Sequence, residues 1–309
     1  MIEVDNLTRH YGPLRAVDGL DFLVEPGTVL GFLGPNGAGK STTMKMLTGC
    51  LRPDSGRIRI MGHDIVSARR RAQQCVGYLP EGSPLYPEMT VADFLLFIAH
   101  MRGLSGERRD QRLRYVVEAL SLRGVLAQRM VTLSKGFSRR VGLAQAIVHD
   151  PPVLILDEPT DGLDPNQKRQ VRQLIRSMAS DRIVIISTHV LEEVEAVCNR
   201  VLVIDRGRCV LDDTPLGMLA RSRYCGAVSL TVDQPERVAS ALGSLDAVAE
   251  VELRSGRLTA LPSGRGELLG AVSGLIREHG WPVHQLVLES GRLDEVFAKL
   301  TQAGGEAHD

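Results

Sequence analysis

The chain has 309 residues with 37 basic and 37 acidic side chains, long enough for more than one module and without a net charge that would draw it to nucleic acid or an anionic bilayer surface. Its five cysteines (Cys50, Cys75, Cys198, Cys209 and Cys225) show no C-x-x-C spacing, which argues against a disulfide scaffold or zinc site and for a reducing compartment. The start, MIEVDNLTRHYG, lacks a basic stretch followed by an apolar run, and no apolar stretch approaches the roughly 20 residues of a bilayer crossing. A soluble chain without signal peptide or direct bilayer insertion is expected, free to dock on a membrane partner.

In chain order, IEVDNL, LDFLVEPG and TVLGFLG read as short strands joined by Gly and Pro turns, with RIRIMGHDI after one helix. From Thr90 the texture is helical: VADFLLFIAHMRG keeps its apolar positions on one face, and RRDQRLRYVVEALSL is amphipathic. This predicts a helical insert over about residues 82–150. PVLILD, helical PNQKRQVRQLIRSMAS, RIVIIST and helical HVLEEVEAVC then alternate, the pattern of a parallel sheet buried on both faces. Beyond DDTPLGMLARSRYCG, the order AVSLTV, PERVASALGSL, AEVELRS, RLTAL, GELLGAVSGLIREHG, VHQLVLES is strand, helix, strand, strand, helix, strand. That order predicts a small α+β, ferredoxin-like unit. The boundary is placed near Arg221 to Gly226, giving units 1–221 and 227–302, and the tail GGEAHD is predicted to be disordered.

Chemistry concentrates at three motifs. GPNGAGKS, comprising Gly34, Pro35, Asn36, Gly37, Ala38, Gly39, Lys40 and Ser41, matches G-x-x-x-x-G-K-[ST] between a strand and a helix. There the glycines let backbone N–H groups converge on phosphate oxygens, Lys40 adds positive charge and Ser41 offers a hydroxyl to Mg²⁺, with Thr42 a further donor. VLILDEPT ends an apolar strand in paired acids at the sheet edge where ligands of such folds bind. Adjacent side chains on a strand diverge, so Asp157 is assigned to the metal and Glu158 to the attacking water, against the plainer alternative of a solvated acidic turn. IVIISTH brings His189 to the same edge, either as a packing or capping residue or toward the γ-phosphate.

A further turn, TLSKGFSRR at Thr132 to Arg140, precedes a helix nearly a hundred residues after the phosphate loop. With it, the chain from Met1 to about Pro215 resembles the ATP-binding subunits of ABC transporters. Gly34 to Ser41 looks like Walker A, LSKGF like the signature LSGGQ, LILDE like Walker B, DGLD (Asp161 to Asp164) like the D-loop, and His189 like the switch histidine. The resemblance implies a P-loop ATPase core with an antiparallel β subdomain and a helical subdomain, binding ATP and Mg²⁺ and hydrolysing ATP. It implies Glu158 and His189 as catalytic residues, Tyr11 against adenine, and Ser41, Glu81 and Asp157 at the metal. It further implies closure of two subunits head to tail, so that Ser134, Lys135, Gly136 and Asp164 contact ATP held by the partner. Ser134 is equally well explained as a plain helix N-cap.

Two departures stand out. Glu81 occupies a position where relatives often carry glutamine, and a carboxylate there is expected to act through the metal or its water. Lys135 and Phe137 replace Gly and Gln in the signature, and Lys135 is read as adding charge for the phosphate or, by preference, as facing solvent. The family also implies an integral membrane permease docked on the stretch after Glu81, with Tyr86 and Met89 among the exposed members of its groove. LSKG, GYLPE and the C-terminal unit resemble the ABC-2-type exporter class, and GYLPEGSPLYPEMT and EPTDGLDPNQ resemble gliding-motility or copper-site-maturation ATP-binding proteins. A homodimer at the cytoplasmic face of the cell membrane, without nucleic acid, is the resulting expectation, with dimer contact or regulation for the C-terminal unit. The rival is a non-transport ABC ATPase switching a macromolecular complex. Ribosome-type members usually carry two cassettes and chromosome-type members a long coiled coil, and neither is visible here.

Overall fold

The computed structural model describes residues 1–82, 86–264 and 267–302 and divides between Asp213 and Thr214 into two units. In the first, β1 (Ile2–Tyr11) and β2 (Leu14–Val24) form a hairpin, and β3 (Val29–Leu33) leads through the phosphate-loop motif into α1 (Lys40–Leu47). After β4 (Ser55–Ile60), β5 (His63–Asp64), α2 (Arg69–Gln74) and β6 (Val76–Leu79) come three helices, α3 (Val91–Met101), α4 (Gly106–Ala119) and α5 (Lys135–Ile147). The chain then alternates β7 (Val153–Asp157), α6 (Pro165–Met178), β8 (Ile183–Ser187) and α7 (Leu191–Val197), and ends the unit with the hairpin β9 (Arg200–Asp205) and β10 (Arg208–Asp213).

Every residue of β7 and β8 is buried because the six-stranded sheet they occupy, β10-β9-β3-β8-β7-β6, is covered on both faces. Its members pair in parallel except for β10 at the edge. Side chains alternate across it. Val153, Ile155, Ile183 and Ile185 pack with Met44 and Leu47 of α1 and with the antiparallel sheet β2-β1-β4-β5. Leu154, Leu156, Val184 and Ile186 pack with Phe94, Leu95, Val141, Ile147, Val171 and Ile175. Each such isoleucine or leucine contributes about 1.5–3 kcal/mol of transfer free energy, so the helical stretch is fastened to the sheet by the same core that makes the sheet. The expected α/β core, antiparallel β part and helical part are all present.

Of the predicted docking stretch, Ser83, Pro84 and Leu85 lie outside the described residues. Tyr86 is exposed, its ring edge-on to Phe97 at 5.7 Å. Met89 corrects the expectation: it is half-buried against the core beneath the helices, and its main chain is tied to Met130 N–H at 2.9 Å.

In the second unit, α8 (Pro215–Leu219) precedes β11 (Cys225–Val232), α9 (Pro235–Leu242), β12 (Val248–Arg254), β13 (Arg257–Pro262), α10 (Leu268–His279), β14 (Val283–Ser290) and α11 (Leu293–Gln302). The antiparallel sheet runs β12-β13-β11-β14, the ferredoxin-like arrangement expected from the element order. Val228, Leu230 and Val232 of β11 pack with Val238, Leu242, Leu268 and Val272 of the two helices. The division falls ahead of the expected Arg221–Gly226 boundary. The physical reason is packing: an added Cβ on Gly291 would meet Leu219 O at 2.4 Å, and Arg223 N–H donates to Glu295 at 3.3 Å. The segment from Thr214 therefore belongs with α11. The tail GGEAHD lies outside the described residues.

Candidate active site

Between the end of β3 and the start of α1, Gly39 adopts φ +103°, and an added Cβ would stand 2.3 Å from Ala16 O. Both the conformation and the space exclude a side chain. Lys40 Nζ folds back to donate to Gly34 O (2.6 Å) and Pro35 O (3.0 Å), and Ala38, itself buried, accepts Gly207 N–H at 3.0 Å. The expected phosphate-loop residues thus separate into two groups. Asn36, Gly37, Gly39, Lys40, Ser41 and Thr42 line a cleft of about 560 Å³, whereas Gly34, Pro35 and Ala38 build its frame. Tyr11 enters the cleft beside Leu14 and Ala16; its ring is 45 % exposed and has the Arg9 guanidinium 5.2 Å from its centre.

Asp157, Glu158, Glu81 and His189 line the same cleft. Asp157 ends β7, is buried, and accepts the Ser187 hydroxyl hydrogen. Glu158 turns out of the strand with φ +51°, a left-handed conformation uncommon outside glycine, and its N–H donates to Ser187 O at 2.9 Å. The strand ends at Asp157, and the two carboxylates take different partners across this turn. Glu158 Oε1 sits 2.8 Å from His189 Nδ1 and 3.2 Å from His189 N–H, while Oε2 is 3.3 Å from the Thr188 hydroxyl. Burial draws the Lys40 ammonium below its usual pKa, and Glu158, Asp157 and Glu81 oppose that shift.

Ser134, Lys135, Gly136 and Asp164 are not among the residues lining this cleft. Ser134 Oγ accepts Phe137 N–H at 3.3 Å as the N-cap of α5, and Asp164 Oδ1 accepts Gln167 N–H at 2.9 Å as the N-cap of α6. Gly136 is buried, and a Cβ on it would meet Gln167 Oε1 at 2.8 Å. Lys135 is 72 % exposed, yet its ammonium is 2.9 Å from Asp161 rather than free in solvent.

Sequence reasoning missed the groups that hold these side chains. Ser187 and Thr188 are the polar pair closing the apolar run IVIISTH, a signal available in the sequence. Glu193 accepts the Thr160 hydroxyl and lies 3.3 Å from the Thr188 hydroxyl. Arg139 binds four main-chain carbonyls behind the acids. Arg139 and the Thr160–Glu193 pair join segments remote in the chain, and nothing local marks them.

A family model described as ABC transporter matches residues 17–161. The chain is 38% identical over 245 residues to the Nod factor export ATP-binding protein I of Paraburkholderia xenovorans (strain LB400), spanning 79% of this chain and 81% of that protein. It is 34% identical over 309 residues to the protein of the same name from Burkholderia orbicola (strain AU 1054), spanning 100% and 98%. Among solved structures, an ATP-binding subunit of an ABC transporter matches with a TM-score of 0.67 at 29% identity, over 71% of this chain and 91% of that one. The dimeric ATP-binding cassette MJ0796 bound to ADP and Pi shares the fold, with a TM-score of 0.64 at 20% identity over 70% and 99%. With one relative 38% identical over 79% of this chain and another 34% identical over all of it, and a cleft built from a phosphate loop and an acidic strand end, the chain belongs to the ABC transporter family as an ATP-binding, ATP-hydrolysing subunit.

Proposed function

We propose that two copies of this chain close head to tail around two ATP molecules, and that hydrolysis drives a separate integral membrane permease of the ABC-2 type in the export direction. The observation that carries the chemistry is Glu158, aimed into the cleft of Lys40 and Ser41 and held from both carboxylate oxygens by His189 and Thr188. Backbone N–H groups of the loop and Lys40 bind the phosphates, and Tyr11 stacks on the adenine. Glu158 accepts a proton from water as its oxygen bonds to the γ-phosphorus and the bond to ADP breaks. Ser134 and Gly136 of the partner copy cap the γ-phosphate at the far side, with Lys135 and Asp164 bordering the seam. Support for this division comes from Ser134 standing at the N-terminus of the 13-residue helix α5, where main-chain N–H groups suit a phosphate.

The donors fit Mg²⁺. Ser41 supplies a hydroxyl and Asp157 and Glu81 supply carboxylates at one cleft, a hard-oxygen set. When bound, the ion would neutralise charge on the transferring phosphoryl group.

No helix among the described residues is long and apolar enough to cross a membrane. In the proposed assembly the transport path lies on the permease and this chain works at its cytoplasmic face. Exposed Tyr86, Leu96, Phe97 and Met101 form the proposed docking surface. The relatives are named for Nod factor export, and the sequence also resembles gliding-motility and copper-site-maturation proteins; export is the common element. The unit from Thr214 serves dimer contact or regulation. The test is ATP turnover by Glu158→Gln: a fall of about 10²-fold or more with ATP binding retained is expected, and near-parental hydrolysis refutes the assignment.

A further inference from the structure

Arg139 lies on the signature helix α5 and is 4 % exposed. Its guanidinium makes five hydrogen bonds, all to main-chain carbonyls. Nη1 donates to Pro80 O at 2.7 Å and Glu81 O at 2.9 Å, Nη2 to Glu158 O at 2.6 Å and to Asp157 O, and Nε to Glu158 O at 3.1 Å. Burying a cation this deeply is costly, and the surrounding carboxylates of Asp157, Asp161, Glu158 and Glu81 offset the cost. The planar five-donor fork is the one side chain that spans two such segments at once.

We infer that Arg139 is a positioning residue for hydrolysis, coupling the signature helix and the Glu81 segment to the conformation of Glu158. The left-handed turn at Glu158 is gripped on its N–H by Ser187 and on its carbonyl by Arg139. Arg139 lies five positions after Ser134, so a shift of α5 when the signature meets nucleotide reaches the acid through one side chain. The same side chain reports any displacement of Pro80 and Glu81, just ahead of the docking stretch. This inference rests on the proposed role of Glu158 as base.

The test uses the full chain with Arg139→Lys and Arg139→Gln. Lysine keeps the charge but not the fork, and glutamine has two donors for four carbonyls. Both variants should lose about tenfold or more in kcat, with no rescue by lysine, while affinity for a fluorescent ATP analogue stays within about threefold. That split is expected because Arg139 is not among the cleft-lining residues. Near-parental kcat in either variant, or nucleotide affinity falling in parallel with kcat, overturns the inference. If neither variant folds, hydrogen exchange of the Glu158→Gln chain with and without ATP decides. Segments 78–82, 135–147 and 155–161 should gain protection together, and independent changes overturn the coupling. An active Glu158→Gln chain would sink the base assignment itself; an inactive one beside normal Arg139 variants sinks only the coupling.

Discussion

Replacing His189 by alanine removes the imidazole 2.8 Å from Glu158 Oε1 and leaves the His189 backbone N–H at 3.2 Å and the Thr188 hydroxyl at 3.3 Å from Oε2. A hydrogen bond to a charged group is worth about 1.5–3 kcal/mol. His189 is 70 % exposed and Glu158 16 %, so solvent competes for the contact, and about 1–2 kcal/mol is the appropriate range. If the imidazole acts by holding the carboxylate toward water, His189→Ala should lower kcat roughly 5- to 30-fold, with the KM for ATP little changed. Steady-state phosphate release across an ATP titration reads both parameters. A loss as deep as that of Glu158→Gln would show that the imidazole does more than hold the carboxylate. A rise in KM without a fall in kcat would move it from the acid to the phosphate, and unchanged kinetics would remove it from the site.

Ile155→Ala deletes a fully buried side chain of β7 on the α1 face of the sheet; chemical denaturation should show a loss of about 2–5 kcal/mol. His149, pushed down to about 4 by burial from an ordinary value of 6.5, is neutral in the fold and charges readily when unfolded. The unfolded chain therefore binds the extra proton as pH falls, and stability should drop by about 2 kcal/mol from about pH 7.5 to about pH 5, a slope that His149→Gln removes from denaturant midpoints. Chelation with EDTA should weaken ATP binding in equilibrium titrations, and Glu81→Gln should recover about 3- to 10-fold of that loss; equal metal dependence in parent and variant would refute a metal-mediated Glu81.

The phosphate loop and the acidic strand end were legible because each is a contiguous run whose residue types are dictated by one task. Gly39 must be glycine where Ala16 O stands 2.3 Å from a would-be Cβ, and Val153, Leu154, Ile155 and Leu156 must be apolar where both sheet faces are covered. The second unit was legible for a similar reason, since its element order alone selects the topology. What escaped depends on contacts between distant segments. Arg139 meets Pro80 across 59 positions and Thr160 meets Glu193 across 33, and no local pattern distinguishes these side chains from surface charges. The boundary moved for the same reason, because α8 belongs with α11 through packing and its composition carries no break. A helix of ten residues such as α11 is marginal in isolation, and its place is set by what it packs against.

The charge of the cleft explains why a polyanion needs help to bind there. Lys40 is the one lysine or arginine among the cleft-lining residues, against Glu81, Asp157, Glu158 and Asp161, of which Asp161 is offset by Lys135. At an effective dielectric of about 20, each carboxylate within several ångströms of a phosphate costs a few kcal/mol before screening. The same acids oppose the desolvation that draws the half-buried Lys40 below its usual pKa. On the proposed reading, a divalent ion held by Ser41, Asp157 and Glu81 would offset these carboxylates, and the α1 N-terminus adds positive field of its own. On that reading an extra carboxylate at Glu81 would tighten the dependence on metal, because it adds repulsion where an amide would add none. Being exposed, it does so weakly enough in the open cleft to be screened. If a second copy closes over the phosphates and excludes water, as proposed, the repulsion would grow, and the demand for metal would lie at the step that commits ATP to hydrolysis.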